Sequence, residues 1–132
     1  MKNILITGGT GFIGSHTCIS LLEDGYDITI IDSLINSSKK VLKGLRNIFE
    51  LSKNFDESKI HFYEGDIRNT CFLQDVFLDS KNKKKPIDCV IHFAGLKAVR
   101  ESILNPLLYW DVNVKGSINL LNIMKENDCR TI

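Results

Sequence analysis

No apolar run in this sequence approaches the roughly 18 to 20 residues that cross a bilayer, so no membrane partner is expected. Charge of one sign is also missing, since 17 Lys and Arg stand against 16 Asp and Glu for a formal net charge of +1. Such a balance gives no general pull toward nucleic acid or an anionic membrane, and any bound anion must be held locally. The start has neither a basic segment leading into a longer apolar stretch nor a small-residue cleavage site. No secretory leader is expected, and the cytoplasm is the expected compartment. Cys18, Cys71, Cys89 and Cys129 form no Cys-x-x-Cys pair and no metal-ligand spacing, which leaves reduced thiols, with no metal, as the expectation. Neither a repeat nor a low-complexity linker interrupts the chain, and its 132 residues bound it to one domain.

What is present is an alternation of two hydrophobic periods. Short β-branched and leucine runs at Asn3 to Thr7, Asp27 to Asp32, Ile60 to Tyr63 and from Ile87 onward predict four strands. Between them, apolar residues recur at helical spacing. Phe12 to Leu22 carries Ile13, Thr17, Ile19, Leu21 and Leu22; a second helix carries Val41, Leu42, Leu45, Ile48 and Phe49; Thr70 to Leu78 carries Phe72, Leu73, Val76 and Phe77. The lysine-rich "KNKKKP" that follows reads as a solvated loop. A long helix is predicted from near Asn105, as N-cap, with Pro106 in the first turn, to about Glu126. Strands alternating with helices imply a doubly wound α/β fold around a parallel sheet, and runs such as "ILI" and "CVI" suit strands covered on both faces.

The first strand runs into "TGGTGFIGSH", four glycines between a strand and a helix. Gly8, Gly11 and Gly14 follow G-x-x-G-x-x-G, and Gly9, Gly11 and Gly14 also satisfy G-x-G-x-x-G. In this setting the first glycine permits a sharp turn, the middle one lets a pyrophosphate approach the backbone, and the last lets the helix pack on the strand. The helix start offers free N–H groups and partial positive charge to phosphates. The second strand ends at Asp32, where a carboxylate can accept hydrogen bonds from an adenosine ribose. Together these predict a Rossmann-type dinucleotide site. Asp32 would repel a 2′-phosphate, and Ser33, Leu34 and Ile35 supply no arginine to receive one, so the expected cofactor is NAD.

With "GDIRN" at Gly65 to Asn69, "HFAGLKAVRES" at His92 to Ser102 and "NVKGSINLL" at Asn113 to Leu121 added, the chain resembles the extended short-chain dehydrogenase/reductase family. Within that family it is most similar to the UDP-glucose 4-epimerases. The resemblance implies that Gly8, Gly11, Phe12 and Ile13 line the pyrophosphate, and that Asp32, Asn36 and Ser37 face the adenosine ribose. It places Asp66 and Ile67 at the adenine edge. Phe93, Ala94, Gly95 and Lys97 would run along the cofactor, with Asn113 ordering that wall from the long helix. Other roles stay open for three of them: a turn cap for Asp66, a solvated cation for Lys97, and backbone pairing alone for Asn113. His92 is expected to hydrogen-bond locally, and Tyr109 and Trp110 to be core or interface aromatics.

The resemblance further implies interconversion of UDP-glucose and UDP-galactose by a homodimer, with a Tyr-x-x-x-Lys pair moving the proton of the sugar hydroxyl. That pair is not in these residues: Tyr26, Tyr63 and Tyr109 are followed four positions later by Ile30, Ile67 and Asn113. The chain is therefore expected to be one NAD-binding Rossmann domain over residues 1–132, truncated after about four strands and inactive alone. Truncation is expected to leave strand four, with Cys89, Val90 and Ile91, as an uncovered edge. It should also strip partners from Leu120, Leu121 and Met124. The alternatives are another NAD-dependent sugar-nucleotide epimerase or dehydratase, or a non-catalytic NAD-binding module. Calorimetric titration should give tighter binding of NAD than of NADP; the reverse order would overturn the role assigned to Asp32.

Overall fold

A computed structural model describes residues 2–50 and 56–132, apart from the side chain of Phe49. β1 (Asn3–Thr7), α1 (Phe12–Glu23), β2 (Asp27–Asp32) and α2 (Lys40–Glu50) come first, and a 3-10 turn (Glu57–Lys59) leads into β3 (Ile60–Glu64). Then follow α3 (Thr70–Asn82), β4 (Ile87–His92), α4 (Val99–Leu104) and α5 (Pro106–Trp110). A π-helical turn (Asp111–Lys115) carries the chain into α6 (Gly116–Glu126). The four strands pair in parallel in the order β3-β2-β1-β4. The doubly wound Rossmann-type sheet expected from the sequence is therefore the observed architecture.

Strand alternation divides the core in two. Ile4, Ile6, Ile28 and Ile30 point to one face and pack with Cys18, Leu22 and Leu45 from α1 and α2. Leu5, Ile31 and Val90 point to the other, against Leu73, Val76 and Phe77 of α3 and Leu120, Ile123 and Met124 of α6. Every residue of β1 and β2 is buried, as strands covered on both faces must be. Each fully buried Leu or Ile contributes about 1.5 to 3 kcal/mol relative to its exposed state.

Several expectations need correction. The buried stripe of α1 is Gly14, Cys18 and Leu22, while Ile13 is 58% exposed, because the phase of the helix is set by Gly14 packing on the loop before it. On α2, Leu45 is buried but Ile48 faces solvent; the expectation for Phe49 lies outside the described residues. The long final helix is continuous from Pro106, yet a separate helix α4 precedes it, and the Asn105 side chain makes no capping bond. Leu120 and Met124 are packed against α3, not stripped of partners, and only Leu121 is exposed. β4 is the edge of the sheet, as expected, though Val90 N–H donates outward to the Thr131 carbonyl at 3.0 Å.

The lysine-rich segment departs in part: Lys81 to Lys84 are exposed as expected, but α3 extends into it and Lys85 is drawn inward. Lys81 and Asn82 end α3, and Lys83 bridges to Asp79 at 2.7 Å and donates to the Tyr63 hydroxyl at 3.1 Å. Lys85 donates to the Asp27 carboxylate at 3.1 Å and to the Ser58 carbonyl at 2.7 Å. Its backbone carbonyl accepts from Asn3 Nδ2, and Asn3 also accepts from Thr29 and donates its backbone N–H to Asp88. Lys85 thus staples the amino ends of β1, β2 and β3, and the buried Asp27 has it as counter-charge. Lys85→Met is expected to cost about 1 to 2 kcal/mol in urea unfolding, since it leaves Asp27 unpaired. A solvated loop lysine would leave the midpoint unmoved.

Candidate functional site

A cleft opens at the carboxyl ends of all four strands, on both sides of β1, where strand order reverses in this fold class. The space it encloses, counted out to open solvent, is about 840 Å³. Gly8 at the end of β1 forms its floor. The φ of Gly8 is +69°, and a Cβ there would sit 2.8 Å from the Ala94 nitrogen, so both the turn and the close approach of the β4 loop require glycine. At Gly14 a Cβ would sit 2.8 Å from the Gly9 Cα, so α1 packs directly onto the loop backbone.

The α1 start has no side-chain cap and no acidic residue in its first turn. The backbone N–H groups of Phe12, Ile13 and Gly14 therefore lack intrahelical acceptors and stand available to an anion. Phe12 and Ile13 are themselves 79% and 58% exposed and, like Gly14, do not line the cleft; the Phe12 ring lies against His16, centroids 4.8 Å apart. Cys18 lies beneath, its thiol against the Gly9 carbonyl at 3.9 Å and its pKa pushed up to about 12 by burial. It serves as packing and not as a nucleophile.

Asp32 is buried at the tip of β2 and ties three segments together. Its Oδ2 accepts from Thr10 N–H at 3.1 Å, and its Oδ1 accepts from Leu34 N–H at 2.9 Å and from Ser37 Oγ at 3.0 Å. Thr10 Oγ1 lies 2.7 Å from Ser37 Oγ, which closes the ring. With three of its roughly four acceptor positions used, the carboxylate keeps one for a further donor. Leu34 adopts a left-handed φ of +58°, held there by its bond to Asp32, and the turn brings Ile35 and Asn36 to the cleft. Ser37 does not line the cleft; it seals the loop behind it.

From β3 the cleft receives Asp66 and Ile67, and from β4 Phe93, Ala94, Gly95 and Lys97. Both Asp66 oxygens accept from Arg68, and Oδ1 also accepts the Arg68 backbone N–H at 2.8 Å. Hydrogen bonds from the Arg68 side chain hold the Asp66 carboxyl below the usual carboxylate range. Asp66 is thus a turn former as well as a wall residue. Lys97 is exposed at the rim. Asn113 stays outside the cleft lining but grips the wall: its Oδ1 accepts from Leu96 N–H at 2.8 Å and its Nδ2 donates to the Leu96 carbonyl at 2.9 Å. Sequence reasoning passed over Arg68, whose second partner, Asp111, is 43 positions away.

Below the β4 wall, His92 bridges Thr7 Oγ1, 2.6 Å from Nδ1, and Ser117 Oγ, 2.9 Å from Nε2. Ser117 Oγ donates to the Asn113 carbonyl at 2.6 Å, so it accepts from His92 Nε2–H, and Thr7 donates to Nδ1. The network suits a neutral imidazole. Burial lowers its pKa in the same sense.

The family model described as GDP-mannose 4,6 dehydratase matches residues 5–132. The chain belongs to that family. A UDP-glucose 4-epimerase of Neisseria meningitidis is 49% identical over 124 residues, 94% of this chain and 33% of that protein. The solved UDP-glucose 4-epimerase of Stenotrophomonas maltophila, with bound NAD and formylated UDP-arabinopyranose, superposes with a TM-score of 0.84 at 36% identity over 98% of this chain and 35% of that one. That of Bifidobacterium longum, in complex with NAD+ and UDP, gives 0.82 at 36% identity with the same coverage. The chain thus spans about a third of the length of the curated relatives it matches.

In this GDP-mannose 4,6 dehydratase family member the His92 network generates a pH dependence. The unfolded histidine titrates near 6.5 and the folded one lower, so between the two values the unfolded chain binds the extra proton. Stability is full above about pH 6.5 and is lost as pH falls through the folded value. His61, lowered first by burial and then by Lys83 and Lys85, adds in the same direction. The urea midpoint should fall from about pH 7 to about pH 5, and His92→Gln should remove part of that slope. An unchanged slope in the variant would remove His92 from the account.

Proposed function

We propose that this chain is the NAD-binding part of a UDP-glucose 4-epimerase, and that residues 1–132 form one Rossmann domain lacking the catalytic pair. The observation that carries the reading is the glycine loop tied through Thr10 N–H to the Asp32 carboxylate, with a free acceptor position left on that carboxylate. The α1 amides would hold the pyrophosphate of the dinucleotide, Asp32 its adenosine ribose, Asp66 and Ile67 the adenine, and Phe93 to Lys97 the remaining length. Bound there, NAD supplies a hydride acceptor and donor for a sugar carbon. The residues of this chain bind and orient it; no tyrosine among them stands four positions before a lysine to move the proton.

The relatives named above support the substrate assignment, a UDP-hexose, and two of the solved structures carry NAD. A homodimer of the whole enzyme belongs to this reading, supported by the exposed Leu107, Trp110 and Ile118 on the final helix. The compartment proposed is the cytoplasm; no helix among the described residues is long and apolar enough to cross a membrane. A second reading, sugar-nucleotide dehydration, is favoured by the description of the matching family.

The purified 132-residue chain should bind NAD saturably, and Asp32→Ala should weaken that binding at least about ten-fold. It should turn over no UDP-galactose, whereas a chain continuing through a Tyr-x-x-x-Lys segment should. Turnover by the 132 residues alone would refute the division of labour. A 4-keto-6-deoxy product from the longer chain would select the second reading.

A further inference from the structure

The two walls of the cleft are held from one element. On the continuous helix from Pro106 to Glu126, Asp111 Oδ2 accepts from Arg68 Nη1 at 2.9 Å, and Asn119 Nδ2 donates to the Arg68 carbonyl at 3.0 Å. Ile67 packs against Gly116, where a Cβ would lie 2.7 Å from its Cδ1. These contacts fix the wall after β3. Asn113 grips the opposite wall through both backbone groups of Leu96. In a straight α-helix, residues two apart point about 200° from each other. The π turn Asp111–Lys115 keeps that near-opposite spread, so Asp111 and Asn113 reach different walls, and single π turns recur inside helices at functional sites.

We propose that Asp111, in this π turn, is a positioning element that acts through Arg68 to align the Asp66–Arg68 wall independently of the Ala94–Lys97 wall, which Asn113 holds through Leu96. The inference rests on the reading that the cleft receives a dinucleotide with its adenine half on the first wall. Asp111 and Asn113 are positioning residues: neither lines the cleft, and each acts through a residue that does.

The test compares Asp111→Ala and Asn113→Ala in the 132-residue chain with two probes, AMP and NAD, and with amide hydrogen exchange in the absence of either. Asp111→Ala should raise the Kd for AMP about five-fold or more, and Asp111→Asn, which keeps an oxygen for the guanidinium, should restore most of the affinity. Asn113→Ala should leave AMP within about two-fold while weakening NAD about five-fold. Without ligand, exchange should quicken at Arg68 and Asn69 in the first variant only, and at Leu96 in the second only. A purely structural role would weaken both probes alike and raise exchange on both walls. Either that outcome or no local change overturns the proposal. Should the unaltered chain bind neither probe, the functional reading falls, and the exchange pattern alone decides whether the walls are set separately.

Discussion

One carboxylate holds the cleft end of this molecule together. Asp32 accepts from Thr10 at the tip of the glycine loop, from Leu34 in a left-handed turn and from Ser37 beyond it. Glycines make that loop possible but do not hold it in place, because residues free to adopt many conformations lose the most freedom on folding. A buried, charged acceptor meeting a backbone donor offsets part of that loss. The conformation that leaves the α1 amides open to an anion therefore depends on a residue in the neighbouring strand. Asp32 has two tasks at once, closing the loop and facing the cleft.

The sheet separates stability from chemistry along its axis. At the amino ends of the strands, Lys85, Asp27, Asn3 and Asp88 form a network whose polar groups satisfy one another. At the carboxyl ends, peptide groups and side chains stand with capacity unspent. The helix from Pro106 to Glu126 joins the two functions, since one side buries Leu120, Ile123 and Met124 while Asp111, Asn113 and Asn119 reach the loops above. A loop held from a packed helix is more precise than one held only by itself.

Much of the fold was legible in the sequence. Three strands fell within a residue of their observed bounds and the fourth began at Ile87 as expected, because alternating or continuous apolar runs leave few other ways to bury Ile4, Leu5, Ile28 and Val90. Most of the residues assigned to the site by motif line one cleft: Gly8, Gly11, Asp32, Asn36, Asp66 and Ile67 among them. Helix faces were less legible. Ile13 and Leu121 lie at helical spacing yet face solvent, since periodicity gives the spacing of a stripe and not its phase. Lys85 was misread for a related reason: charge in sequence says nothing of whether a buried Asp27 waits nearby.

By itself, the sequence determined the succession of strands along the chain, the glycine turn and the acidic residue that follows it, because these depend on local backbone freedom and on periodicity over a few residues. Tertiary structure decided which side chains meet across long separations: Asp32 with Thr10, Arg68 with Asp111, Asn113 with Leu96, and His92 between Thr7 and Ser117. Such pairs are chosen by the packing of helices on the sheet, which brings donors within about 3 Å of acceptors that no local pattern connects.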